Sequence, residues 1–229
     1  MSVASQPAVH GHPLFSRVWA FAMRRAQPKL LVQQRREVVA GLSGTVLEVG
    51  CGSGTAFAHY PQSVGQVIAV EPEPYLRDAA VQAAATAPVP VDVRFGVAEQ
   101  LPVDDASVDA VVCSLVLCSV PDVAAALREV ARVLRPGGEL RYLEHVGERP
   151  GSLGRRSQEA LDRSGLWPAL GGGCHVARDT GAAIRAAGFV VDAERERTNG
   201  PPVLVPVRRM IAGTAHMPPL SHASEAPAP

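Results

Sequence analysis

Hydrophobic and polar positions alternate between two periods along this chain, and the switches mark its elements. Short apolar runs bounded by turn residues read as buried strands at Val46–Val49, Gln66–Val70, Val91–Phe95 and Asp109–Cys113. Between and after them, three- and four-residue spacing predicts helices over Pro74–Thr86, Val123–Leu134, Leu153–Gly165 and Asp179–Ala187. Asp122 is placed to cap the second of these, and Arg135-Pro136-Gly137-Gly138 to end it. The fifth strand is expected in RYLEHV, residues 141–146. Phe189–Arg197 follows as a strand, with residues 207–215 as its antiparallel partner.

Before the first strand the pattern is helical twice. Phe15, Val18, Trp19, Ala22 and Ala26 give one apolar stripe over 14–26. This segment can dock on the core, close a pocket as a lid carrying Trp19, or lie on a membrane surface. Gln33–Leu42 reads as a second helix stopped by Gly41 and Gly44, with Arg35, Arg36 and Glu37 on a solvated face. Residues 1–13 are polar and irregular. The Pro-, Ala- and Ser-rich stretch 218–229 cannot bury enough apolar surface to order itself.

With about half its 229 residues apolar, the chain has material for one sizeable α/β domain over 14–217. The expected organisation is a helical lid at 14–42, a core at 43–146, an insertion at 147–177 and a closing helix and strands at 178–217. Lys and Arg total 22 against 22 Asp and Glu, which leaves no overall field to hold nucleic acid. The cysteines, Cys51, Cys113, Cys118 and Cys174, form no C-x-x-C pair and no zinc spacing, so no metal is expected. Reduced thiols in a cytoplasmic protein are the simpler reading. No apolar run approaches the roughly 18 residues that span a bilayer, which leaves peripheral membrane contact open.

The candidate chemistry starts at TVLEVGCGSGTAFAHY, residues 45–60. A buried strand runs into Gly50, Gly52 and Gly54, and helix-compatible residues resume at Thr55. A strand, a glycine turn and a helix N-terminus expose backbone N–H groups where no Cβ blocks approach, which makes a nucleotide cradle. The carboxylate of Glu48 beside it would repel a phosphate and attract an ammonium group. Glu71 lies 21 residues beyond Gly50, at the end of the next strand. One strand–helix–strand step puts an acid there to accept ribose hydroxyls. Pro72 offers a flat apolar surface next to it.

These residues resemble motif I of the class I S-adenosylmethionine-dependent methyltransferases, E/D-x-G-x-G-x-G. The resemblance extends through A-E-x-L-P at Ala98–Pro102, D-x-S-x-D at 105–109 and LRPGGEL at 134–140. It implies a doubly wound, mostly parallel seven-stranded α/β sheet with an antiparallel last strand, and S-adenosylmethionine as methyl donor. It further implies that Glu48, Gly50, Cys51, Gly52, Gly54, Glu71, Pro72, Ala98, Glu99, Ser114 and Leu115 surround that donor. Val97 stands where the family often has Asp, so the adenine amino group would meet a backbone carbonyl or Glu99.

The segment after the fourth strand, SLVLCSV, is apolar and lacks the N/D-P-P-Y/F clamp of many N-methylating relatives. Together with LEHV, GGGCHVARDT, Tyr60-Pro61 and the later P-P-V-L and M-I-A-G-T-A, it resembles the thiol S-methyltransferase group. The resemblance implies a small-molecule acceptor, led by a thiol. An oxygen or carbon nucleophile on a quinone-like ring and a lipid amine are alternatives, as are, more distantly, an NAD-dependent oxidoreductase and a non-catalytic cofactor-binding protein. Trp19, Leu117, Cys118, His145 and His175 are expected around the acceptor. A histidine at a strand end can be a structural hydrogen-bonder or a proton acceptor, and His145 is the catalytic candidate. Cys118 is expected as a small apolar wall residue. The pattern does not reveal an oligomeric state.

Overall fold

The computed structural model describes residues 29–198 and 206–218, with Arg17 ahead of them. The expected leading segment, the 14–26 helix with Trp19, the P-P-V-L at 201–204 and nearly all of the tail lie outside the described residues, apart from Arg17, whose guanidinium lies 5.8 Å over the Tyr75 ring.

Seven strands form one sheet: β1 (Gly44–Val49), β2 (Val64–Val70), β3 (Val91–Arg94), β4 (Val108–Ser114), β5 (Leu134–His145), β6 (Val190–Thr198) and β7 (Arg209–His216). Their spatial order is β3-β2-β1-β4-β5-β7-β6, with β7 antiparallel to both its neighbours and the other pairs parallel. The order reverses between β1 and β4, so the crevice at their carboxyl ends is the switch point where ligands collect in such sheets. The helices are α1 (Lys29–Val39), α2 (Pro74–Ala84), α3 (Val123–Val133), α4 (Leu153–Ser164), α5 (Leu166–Leu170) and α6 (Thr180–Ala186).

Period-two alternation divides the central strands between two cores. Leu47, Val49, Ile68, Val111 and Cys113 pack toward Leu127, Val130 and Ile184 of α3 and α6. Val46, Val67, Ala69, Ala110 and Val112 pack on the other face with Val38, Val39, Phe57, Tyr60 and Ala80. Because both faces are covered, the last four residues of β1 are all buried.

Three expectations are corrected. The helix after the glycine turn is a single 3-10 turn, Phe57–His59: Phe57 and Tyr60 are both drawn into the core, and the extended Tyr60 leads into Pro61. The turn's own N–H groups are engaged inside the protein, that of Cys51 by the Val70 carbonyl, that of Gly52 by Glu71 and that of Gly54 by the Cys51 carbonyl. α1 begins four residues earlier than expected, and its Gln34 and Arg35 are buried rather than solvated. The Pro-Gly-Gly stretch is taken up at the start of β5, where the pairing with β4 shifts register between Val108 and Ala110.

The sheet's far side is held by one aromatic bridge. Tyr142 of β5 lies across Gly213 of β7 and donates its hydroxyl to Glu194 Oε2 at 2.7 Å. A Cβ at Gly213 would stand 2.4 Å from that hydroxyl oxygen and 2.6 Å from the Ala193 carbonyl oxygen. Gly213→Ala is therefore expected to destabilise the fold by about 1–3 kcal/mol, the usual cost of overpacking. Urea denaturation checks this, and an unchanged midpoint would contradict the close approach.

Candidate active site

A cavity of about 1110 Å³ opens along the carboxyl ends of β1, β2, β4 and β5. At its floor the turn after β1 is built from left-handed residues: Gly50 has φ 64° and Gly52 φ 56°. A Cβ on Gly52 would meet nothing within 4 Å, so this backbone lies bare toward open space. Gly50, Cys51 and Gly52 line the cavity. Gly54 does not: its missing Cβ would stand 2.6 Å from the Phe57 ring, so it is a packing glycine, and its expected place around the donor is corrected.

Glu71 ends β2 and is buried. Its Oε2 accepts from the Gly52 N–H at 2.9 Å and its Oε1 from the Glu73 N–H at 3.0 Å. The carboxylate thus ties the glycine turn to the start of α2, and each oxygen keeps a further lone pair for a ligand hydroxyl. Burial pushes this carboxyl up, and the two N–H donors oppose it. Pro72, Ala98 and Glu99 form the neighbouring wall. Glu99 Oε1 also accepts from the Asp122 N–H at 3.2 Å.

Glu48 lies at the other end of the floor, 3% exposed, accepting the Tyr60 hydroxyl at 2.8 Å. Burial pushes its carboxyl up to about 7, against the Tyr60 hydrogen bond and the charge of Arg35. Two buried polar groups on the same wall lack a partner within the described residues: the side-chain nitrogen of Gln34 and the Ser114 hydroxyl. Buried polar groups are seldom left unsatisfied, so these point toward a polar ligand. Bare turn backbone, a ribose-type acid, a second acid beside Arg35 and two orphaned polar atoms fit the sugar and amino-acid ends of S-adenosylmethionine. Sequence reasoning passed over Gln34 and Arg35 because an R-R-E run looks like a solvent face.

The other half of the cavity is built by the segment after β4. Leu115 takes a left-handed φ of 62°, and its N–H reaches the Leu143 carbonyl at 2.7 Å. The next three N–H groups, of Val116, Leu117 and Cys118, all donate to the Glu144 carboxylate at 3.0–3.1 Å. Glu144 is fully buried. Its carboxylate is spent on the loop. The expected place of Leu117 is corrected: it is fully buried in the core and off the cavity wall.

Leu115, Cys118, His145 and His175 do line the cavity, joined by Trp167, Pro168, Cys174, Val207 and Met210. The insertion is docked by Arg178, whose guanidinium donates to the Leu117 and Val120 carbonyls at 2.7 and 2.8 Å, and by the His175 N–H to the Cys118 carbonyl at 2.8 Å. A separate hollow of about 660 Å³ lies by Leu101 and Arg132, but that guanidinium is already engaged by Glu129, Asp105 and two carbonyls.

This strand order, with the glycine turn and paired acids at the switch point, places the chain among the class I S-adenosylmethionine-dependent methyltransferases. The family described as Methyltransferase domain matches residues 47–142. The human thiol S-methyltransferase TMT1B is 34% identical over 217 residues, covering 89% of this chain and 87% of that one, and the chain belongs to its family. The mouse TMT1B is 41% identical over 154 residues, 65% of this chain, and the chain spans 62% of that relative's length in the match. A solved SAM-dependent methyltransferase from Thermotoga maritima shares the fold with a TM-score of 0.60 at 21% identity, over 88% of this chain and 97% of the other. No helix among the described residues is long and apolar enough to cross a membrane.

The raised carboxyl of Glu48 has a consequence for stability. Between the usual carboxylate value and about pH 7 the native chain keeps a proton that the unfolded chain has released, so stability falls as pH rises through that window. The loss attributable to this group is about 3 kcal/mol. Glu48→Gln should flatten that part of the profile, measured as urea midpoints from pH 4.5 to 7.5. Parallel profiles for the two proteins would contradict the placement.

Proposed function

We propose that the chain transfers the methyl group of S-adenosylmethionine to the sulfur of a small, largely apolar thiol. The observation that carries this reading is the acceptor wall. Val116, Val120, Trp167, Pro168, Val207 and Met210 make it apolar, with Cys118, Cys174 and two histidines as its softer polar members. The thiol S-methyltransferase names of TMT1B in human and mouse support it.

The bound donor supplies an electrophilic methyl on a sulfonium. The chain's own residues position and desolvate. Glu71 and the glycine turn hold the sugar, while Glu48 and Arg35, with Gln34, face the charged amino-acid end. The loop at 115–118, pinned by Glu144, presents the acceptor from the opposite side. A thiol with an ordinary pKa of about 8.5 is a few per cent ionised at neutral pH, so in-line placement and exclusion of water do most of the work. His145 is a polar, partly exposed member of the acceptor wall. Four free cysteines support a reducing, cytoplasmic setting.

Incubation with isotopically labelled donor and a panel of thiols, phenols and amines tests the reading. Thiols should be methylated, and transfer confined to phenols or amines would overturn it. Glu71→Ala is expected to weaken donor binding by about 2–4 kcal/mol in calorimetry, since it removes charge-assisted acceptors for the sugar and frees the Gly52 turn. An unchanged dissociation constant would count against the sugar's placement.

A further inference from the structure

Three metal-ligating side chains from separate segments meet on the acceptor wall. Cys118 sits in the loop pinned by Glu144, His145 closes β5, and Cys174 ends the glycine run after α5. The Cys174 sulfur lies 3.7 Å and the Cys118 sulfur 3.9 Å from His145 Nδ1, and all three ligand atoms fall within 4.8 Å of one another. Zinc bonds of about 2.3 Å to sulfur and about 2.0–2.1 Å to nitrogen, set tetrahedrally, separate S from N by roughly 3.5 Å. The two sulfur–nitrogen gaps therefore need to close by only a few tenths of an ångström, on the order of a thermal displacement, while the sulfur–sulfur gap, at most 4.8 Å, has to reach roughly 3.8 Å.

The backbone around both thiols is already fixed. The His175 N–H donates to the Cys118 carbonyl, and the Asp162 carboxylate accepts from the Val176 and Ala177 N–H groups at 3.0 and 2.9 Å. Two thiols and an imidazole form a soft donor set, suited to zinc and not to magnesium or calcium. Structural zinc sites close with four protein ligands, whereas catalytic sites keep three and leave the fourth position open. Among the described residues there are three, and all of them line the cavity.

We propose that Cys118, His145 and Cys174 form a zinc site whose open fourth position takes the sulfur of the acceptor thiol. Its catalytic part rests on the thiol-methylating reading above, while its occupancy by metal does not. Binding would release the acceptor's proton to solvent, as zinc ligation of a thiol does. The two protein thiolates cancel the charge of the dication, so the bound acceptor brings one negative charge opposite the positive sulfonium. A sulfur lone pair then forms the new S–CH3 bond while the donor's S–CH3 bond breaks, and its electron pair stays on the donor sulfur, leaving a neutral thioether. The methylated product, a neutral thioether too, is a weaker zinc ligand and departs.

Titration of the metal-free full chain with Co2+ tests this. One equivalent should bind, giving thiolate-to-cobalt charge transfer and the intense visible bands of a tetrahedral site, and Zn2+ should displace it. Cys174→Ser and His145→Gln should each weaken Zn2+ binding at least about tenfold, since even indirect supports of such sites cost 10–100-fold. Calorimetric donor binding certifies that each variant is folded, and Cys118→Ser replaces any that fails. Folded wild-type protein that takes up no cobalt, or cobalt held equally well by the variants, overturns the site. Thiol turnover that survives complete metal removal overturns its catalytic role while leaving the proposed function intact. A chain that binds the metal but methylates no thiol keeps the site and removes that role together with the thiol reading.

Discussion

The acceptor side of this molecule depends on one buried carboxylate. β4 ends at Ser114, and Leu115 turns the chain sharply in a left-handed conformation that costs a non-glycine residue on the order of 1–3 kcal/mol. The turn leaves three successive N–H groups without strand partners. Glu144 receives all three. Burial drives its carboxyl upward, and those donors are what favour the charged form. Each donor left unpaired would cost about 1–3 kcal/mol, so the loop and the acid exist only together.

Three buried acids share this edge of the sheet, and their roles follow from what each has left to give. Glu144 spends its acceptor capacity on the protein's own backbone and is a positioning residue. Glu71 spends one bond per oxygen, on Gly52 and Glu73, and so holds the turn while still offering lone pairs to the cavity. Glu48 takes only the Tyr60 hydroxyl among the N–H and O–H donors described and sits beside Arg35, itself held below its usual value by burial. Glu48 thus accepts the fewest hydrogen bonds of the three, a deficit that Arg35 offsets only in part. A cationic ligand group beside it would relieve that deficit.

How much of this was legible in the sequence tracks the distance over which each feature is encoded. β1, the glycine turn, β2 and Glu71 lie within one continuous stretch, where apolar runs and turn residues speak for themselves. The Asp122 cap on α3 is equally local, with its carboxylate 2.9 Å from the Ala125 N–H. Gly54 and Leu117 were misread because a motif names positions but not directions: one glycine makes room for Phe57, and one leucine of an apolar loop turns inward. Arg35 was misread, and its neighbour Gln34 passed over, for the opposite reason, since polar residues on a helix look solvated until the fold lays that helix over a cavity. The 3-10 turn replaced a helix because Phe57 and Tyr60 had tertiary places to reach, and packing overrides local propensity.

The donor and acceptor halves differ in kind for the same reason. A cradle made of backbone needs only small residues at fixed spacing, which a short peptide can specify. The cavity wall brings Cys118 and Cys174 to His145 across sequence separations of 27 and 29. Nothing in the local pattern of any of these segments marks that meeting. It arises because β4 and β5 are neighbours in register, with Ser114 beside Leu143, so the loop leaving one strand must cross the end of the other. Arg178 and Asp162 then fold the insertion down onto that crossing. The docked insertion thus shapes one end of the cavity, while the glycine turn and Glu71 at the sheet edge, with Gln34 and Arg35 of α1, shape the other.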